Sequence, residues 1–265
     1  MPVDELAFVD GALLRAVDAV IPATDDGFLR GDGIFEVLRV YDGAPFALQQ
    51  HLERLESSAR NLRLDLPVPA STLEAEIAEL LEARGGTSFD GCLRIVMSRG
   101  GRRVLLTEPV PAAPDAARVC FVTYSPTRVL DGVKSLSYAA NMLAGRVARE
   151  RGFDEALLTT PHGRVLEAPT ASLFYVAADG VLCTPPLEEH ILASITRQLV
   201  IEVCGASERP VTTDELLRCD EAFLASTTRE VQPIVQVEDR TLEAPHERTH
   251  EAARLLRDRI RAAVT

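Results

Sequence analysis

Seven Asp-Gly pairs, at 10–11, 26–27, 32–33, 42–43, 90–91, 131–132 and 179–180, punctuate this chain of 265 residues. Several fall between alternating apolar runs, where Asp-Gly favours a tight hairpin because both central residues tolerate positive φ. LRVY-DG-APFAL and LFYVAA-DG-VLCT read as hairpins, and EALLTT-PHG-RVLEA as a third that turns at His162-Gly163. Apolar residues recur at helical spacing in Leu52/Leu55/Ala59/Leu62, Leu73/Ile77/Leu80, Ala139/Met142/Leu143/Val147, Ile195/Leu199/Val203 and Ala252/Leu256/Ile260/Ala263. A Pro/Ala-rich loop at 108–117 leads into the strand VCFVTY (119–124) and Ser125-Pro126. This order predicts an α+β chain in two lobes, residues 1–122 and 127–265, divided near 120–127. A catalytic cleft between such lobes is a common arrangement.

Composition narrows the function classes. Apolar residues make up 46% of the chain, yet no window approaches the roughly 18 consecutive apolar residues of a membrane span. The opening MPVDELAFVDG has no basic n-region ahead of an apolar stretch, so no secretory signal is expected and the chain reads as cytoplasmic. A net charge of −12, no Trp and 5% aromatics argue against a nucleic-acid partner. Five widely spaced cysteines without a CxxC pair read as reduced, structural thiols.

Of 28 Lys and Arg residues, one is lysine, Lys134. Arginine serves almost wherever a solvated cation is wanted, but it cannot lose its proton and attack a carbonyl. Composition alone leaves a surface lysine and a functional one equally open. The neighbourhood, LDGVKSLSYAANML, places Lys134 between a turn and a helix start, where Val133, Leu136 and Tyr138 can desolvate its amine.

Other candidates are individually weak. Glu167, in RVLEAPTASLF, is either a partly exposed turn residue or a buried anion with a cationic partner. Ser194 reads as an N-cap leaving the Ile195 and Thr196 N–H groups to meet an anion, although most Ser-capped helices bind nothing. Ser226, Thr227 and Thr228 form a second candidate anion loop, and Arg54 shares a helix edge with His51. His246-Glu-Arg-Thr-His250 matches the HExxH zinc pattern, but only fifteen residues follow to supply a third ligand, so no metal is expected. There is no GxSxG elbow, P-loop or GxGxxG.

An imine-forming amine, a lone carboxylate, a helix-start anion site, a hydroxyl loop and a distant arginine are together the contacts that pyridoxal 5′-phosphate requires. The sequence also resembles the fold-type IV pyridoxal-phosphate enzymes, a class that includes D-amino-acid and branched-chain aminotransferases, (R)-amine transaminases and aminodeoxychorismate lyase. The resemblance runs from about Phe8 to about Val237 through RGDGIFEVLRVYDG (30–43), HLERL (51–55), VKSLSYAANML (133–143), GFDEALL (152–158), GRVLEAPTASLF (163–174), TPPLEEHILASITR (184–197) and ASTTREVQPI (225–234). It implies a small N-terminal α/β domain and a larger, β-barrel-like C-terminal domain carrying the lysine. It implies Lys134 as the Schiff-base and proton-transferring lysine, Glu167 facing the pyridine nitrogen and Leu192 on the ring face. Arg54, Ile195, Thr196 and Thr227 are implied as the phosphate site. Two positions depart from the family pattern: Ser194 stands where Gly is usual before Ile-Thr, and Ser172 where Asn is usual before Leu-Phe.

The resemblance further implies an amino donor and a 2-oxo acid acceptor exchanged by ping-pong kinetics, and a homodimer. RGDGIFEVLRVYDG and STTREV look most similar to D-amino-acid aminotransferases, but their Arg-x-His carboxylate trap is missing; MSRGGRRVLL offers Arg103 with Leu105 two places on. Arg30 and Arg103 remain candidates for the substrate carboxylate, Arg30 from across the dimer, with Tyr138 and Thr228 as further substrate contacts. Aminodeoxychorismate lyase is the alternative reaction, with branched-chain and (R)-amine transaminases behind it.

Overall fold

The strand at residues 33–41, buried at its first four positions and alternating after them, organises the first of two units in the computed structural model, which describes residues 5–243 and 246–264. This unit is made chiefly of the described part of Met1–Pro111 together with Gly132–Tyr138. Its elements are β1 (Leu6–Val9), β2 (Ala12–Arg15), α1 (Asp26–Arg30), β3 (Gly33–Tyr41), β4 (Ala44–Pro45), α2 (Leu48–Leu62), α3 (Ala70–Arg84), β5 (Gly91–Ser98) and β6 (Arg103–Glu108). The strands form an antiparallel sheet in the order β2-β1-β6-β5-β3-β4. Asp10-Gly11 and Asp42-Gly43 make the expected tight turns, each with both residues at positive φ. Asp26-Gly27 instead opens α1, whose cap is the Asp25 carboxylate accepting from the Gly27 N–H at 2.8 Å.

On β3 the positions 34, 36, 38 and 40 share one face, and Ile34, Leu38 and Val40 are fully buried there against Leu52, Leu55 and Ala59 of α2 and Leu73, Ile77 and Leu80 of α3. Each such Leu or Ile contributes about 1.5–3 kcal/mol of burial. The fourth position is Glu36, a carboxylate in an apolar row.

The segment Gly132–Tyr138 docks along the start of β3. Ser135 pairs with Ile34, the Phe35 N–H donates to the Lys134 carbonyl at 3.0 Å and the Leu136 N–H to the Gly33 carbonyl at 2.9 Å. Gly33 is required by close approach: a Cβ there would lie 2.4 Å from the Met97 carbonyl oxygen and 2.6 Å from Leu136 Cδ1.

The second unit comprises Ala112–Asp131 and Ala139–Ala262. Its elements are β7 (Ala117–Thr123), α4 (Ala139–Glu150), β8 (Glu155–Thr159), β9 (Arg164–Val165), β10 (Ser172–Val176), β11 (Leu182–Thr184), α5 (Ile195–Cys204), β12 (Ser207–Glu208), β13 (Val211–Thr212), α6 (Thr213–Leu216), β14 (Ala222–Ser226), β15 (Glu230–Val237), β16 (Arg240–Thr241) and α7, which runs on from Glu247 to Val264. The sheet order is β12-β11-β10-β14-β15-β7-β8-β9-β13, with β16 on β15. The strands at its two ends, β12 and β13, are separated in the chain only by Arg209 and Pro210. The two ends of the sheet are thus close along the chain, and the sheet curls into the half-barrel form that the family resemblance implies. β7 and β8 are parallel and joined through α4. The hairpins β8–β9 and β10–β11 form as expected, the first turning at Gly163 with φ 78.

The α4 stripe read from sequence is corrected. Ala144, Gly145 and Ala148 are the buried face, while Met142 and Leu143 are 39% and 55% exposed. Small residues face the β7–β8 layer because they let the helix approach the parallel strands closely, and periodicity of bulky residues does not report that preference. In α7, Ala252, Leu256 and Ile260 are buried as expected and Ala263 is exposed.

Replacing Gly33 with Ala should destabilise the protein by about 1–3 kcal/mol, the usual cost of overpacking. Urea unfolding measures it, and an unchanged midpoint would show that the Gly132–Tyr138 segment has slack.

Candidate active site

Lys134 is held at both backbone groups. Its N–H donates to Ser58 Oγ on α2 at 3.1 Å, and its carbonyl accepts the Phe35 N–H at 3.0 Å. The side chain is half-buried. Its Nζ lies 4.3 Å from the Phe35 ring centroid and 5.9 Å from that of Tyr138, while those two rings meet edge to face at 5.3 Å. The expected desolvating neighbours include Tyr138; Phe35, the nearest ring, was not apparent from local sequence because it comes from a strand a hundred residues earlier.

Arg54 lies on α2 and is fixed from behind by Glu36. Its Nε and Nη2 donate to the two carboxylate oxygens of Glu36, both at 2.7 Å, and His51 Nδ1 meets the same carboxylate at 2.8 Å. Burial alone would raise the Glu36 carboxyl; the bonds from Arg54 and His51, with the Arg54 charge, overturn this and hold it down to about 2. Burial pushes His51 the other way from its usual value, downward, against the pull of Glu36. A neutral His51 donating Nδ1–H satisfies the pair. Sequence reading missed Glu36, although an acid at a core-parity position of a strand was a usable signal.

The second unit carries the remaining candidates. Glu167 follows β9; its N-terminal neighbour Leu166 and its own carbonyl pair with Leu158 of β8. Its Oε1 accepts the Leu192 N–H at 3.0 Å, and the Leu192 carbonyl in turn accepts from Ser194 at 2.8 Å. Ser194 caps α5 through an Oγ that accepts the Arg197 N–H at 3.2 Å. At φ −74 it occupies ordinary extended backbone, so no glycine is needed there. Among the described residues nothing accepts the Ile195 or Thr196 N–H groups, as expected of a helix's first turn. Thr227 and Thr228 lie in the hairpin turn between β14 and β15.

Other expectations are corrected or placed. Arg103 is buried and gives Nε and Nη2 to Glu76 at 2.8 and 2.7 Å. It is the strand end of an ion pair with α3, not a carboxylate receptor, because its planar fork is already matched by a carboxylate. Arg30 is exposed and paired with Asp26 one helical turn earlier. His246 lies before α7 with φ 52, so it does not share a helix face with His250; Pro245, read as the helix start, lies outside the described residues. Among the described residues no group of three His, Cys, Asp or Glu side chains is arranged to hold a metal. The cysteines are unpaired thiols. The Ser172 hydroxyl is buried with no hydrogen-bond partner.

Each unit by itself carries groups of the kind pyridoxal phosphate needs: in the second, the first-turn N–H groups of α5 and the Glu167 carboxylate held by the Leu192 N–H; in the first, Arg54 held by Glu36 and the sole lysine held at its backbone.

The family model for amino-transferase class IV matches residues 33–237. The sequence is 32% identical over 254 residues to a D-alanine aminotransferase of Bacillus licheniformis, covering 88% of each chain. It is 33% identical over 226 residues to a bifunctional aminodeoxychorismate lyase / D-amino acid transaminase of Mycobacterium tuberculosis, covering 75% of this chain and 77% of that protein. The fold matches the PLP-bound form of a hypothetical aminotransferase from M. tuberculosis with TM-score 0.86 and 26% identity, covering 98% and 99% of the two chains. The chain belongs to the class IV aminotransferases, enzymes that use pyridoxal 5′-phosphate.

The Glu36 pair sets an acid limit on the fold. A carboxyl held at about 2 against an ordinary 4.5 contributes stability that is fully present above pH 4.5 and lost as pH falls toward 2. The depressed His51 adds stability present above its ordinary 6.5 and lost on acidification. Glu36→Gln should lower urea stability at pH 7 by about 3 kcal/mol and flatten the acid limb between pH 5 and pH 3. Equal stability in variant and parent would contradict this.

Proposed function

We propose that the chain is a pyridoxal-phosphate-dependent aminotransferase moving an amino group between a D-amino acid and a 2-oxo acid in a ping-pong cycle. The observation that carries this reading is the seating of Lys134, the one primary side-chain amine, with both backbone groups bonded and its Nζ against Phe35. The D-amino-acid preference rests on the likeness to the B. licheniformis enzyme.

When bound, the cofactor supplies an electron sink for the bond broken at the substrate Cα. Lys134 would hold the cofactor and, once released by substrate, serve as the base and acid that moves the Cα proton. Glu167, fixed by the Leu192 N–H, holds a proton on the pyridine nitrogen. Arg54, Ile195, Thr196 and Thr227 bind the phosphate, Arg54 prealigned by Glu36. Leu192 would pack on the ring face, and Tyr138 and Thr228 would contact substrate. The enzyme acts in the cytoplasm, consistent with its free thiols. It acts as a homodimer, to which Phe28 and Leu29, 72% and 54% exposed beside Arg30, offer apolar surface.

A second reading, aminodeoxychorismate lyase, is favoured by the likeness to the bifunctional M. tuberculosis enzyme. A donor panel separates them. D-Alanine with 2-oxoglutarate should exceed L-alanine at least about tenfold in kcat/KM, about 1.4 kcal/mol of discrimination. Pyruvate released from aminodeoxychorismate without an acceptor, in place of D-alanine turnover, would shift the assignment to the lyase.

A further inference from the structure

We propose that Arg229 is a positioning residue of the cofactor site, tying the hydroxyl turn that carries Thr227 to the turn that follows Glu167. The inference rests on the function proposed above.

Arg229 ends the turn between β14 and β15, two residues after Thr227. Its backbone N–H donates to Ser226 Oγ at 3.3 Å, so the turn closes on itself. Its side chain leaves the hairpin. Nη2 donates to Glu155 Oε2, in an ion pair whose side chains are 17% and 10% exposed, and to Thr170 Oγ1 at 2.9 Å. Nη1 reaches Gln232 Oε1 at 3.4 Å.

Both targets belong to the framework of Glu167. Glu155 begins β8, the strand whose Leu158 pairs with the Glu167 and Leu166 backbone. Thr170 sits in the turn closed by the Ala168–Ala171 bridge, three residues after Glu167. Asn141 Nδ2 also donates to the Pro169 carbonyl of this turn, at 3.1 Å. Among the described residues the Ser172 hydroxyl, where the turn enters β10, has no hydrogen-bond partner. The guanidinium thus roots in a buried carboxylate and uses the same nitrogen to hold a hydroxyl, which its planar fork allows and a lysine ammonium on a flexible stem reproduces poorly. The Thr227 hydroxyl and the Glu167 carboxylate act at different ends of one cofactor. Arg229 keeps the two turns in register.

The test titrates the apoprotein with pyridoxal phosphate and with pyridoxal, following absorbance. The affinity ratio reads the phosphate contact, which loss of general stability does not move. Arg229→Lys should weaken pyridoxal phosphate about tenfold. Thr170→Val, which leaves the Arg229–Glu155 pair intact, should weaken it about threefold. Pyridoxal should change less than about twofold in both. Arg103→Lys, at the buried pair with Glu76, should lower the melting temperature and leave the ratio alone. Parental ratios in both Arg229→Lys and Thr170→Val would overturn the proposal and make the cluster structural only. Failure of the parent protein to bind pyridoxal phosphate is a separate result, and it would bring down the cofactor reading itself.

Discussion

Phe35 and Glu36 are adjacent on β3 and face opposite sides of their sheet. The Phe35 N–H holds the Lys134 carbonyl, and its ring lies under the lysine amine. Glu36, one residue on, holds Arg54 and His51. One strand thus fixes the two cations expected at neighbouring groups of a cofactor, its aldehyde carbon and its phosphate arm. Its own position is fixed by the apolar row Ile34, Leu38 and Val40 and by Gly33, which lets the lysine segment lie close. The cost of burying Glu36 is offset because both its oxygens are matched by charged or polar donors; an unmatched carboxylate there would cost several kcal/mol.

The second unit solves a different problem, which is to keep an anion and an anion receptor side by side. The N-terminus of a helix attracts a carboxylate, and Glu167 lies in the segment bonded to the loop just ahead of α5. The Leu192 N–H takes one Glu167 oxygen while the Ser194 hydroxyl occupies the Arg197 N–H, so the carboxylate is held in the loop ahead of the helix and the first-turn donors stay available. That division of donors leaves the Glu167 carboxylate on the Leu192 N–H and off the first turn of α5.

Much of this was legible in the sequence. The Asp-Gly turns at 10–11, 42–43 and 179–180, the helices α2, α3 and α5 and the α7 stripe follow from short-range rules that local chemistry enforces. The lone lysine was legible because all the other Lys and Arg positions of the chain are arginine. Phe35, Ser58 and Arg229 were not, since each acts through residues far away in sequence, and a turn arginine looks like surface until its partner is known; Glu36 was signalled only by its place in an apolar row. Arg103 misled for the same reason: its partner Glu76 lies on α3, 27 positions earlier. The α4 face misled because small residues pack by proximity, which hydrophobic periodicity does not weigh.

The central claim is that Lys134 is the cofactor's anchor, and the composition of the chain makes it directly measurable. Borohydride reduction of the holoenzyme followed by peptide mass spectrometry should find one phosphopyridoxyl group, on Lys134. Incorporation only at the α-amino group, or none at all, would contradict the account.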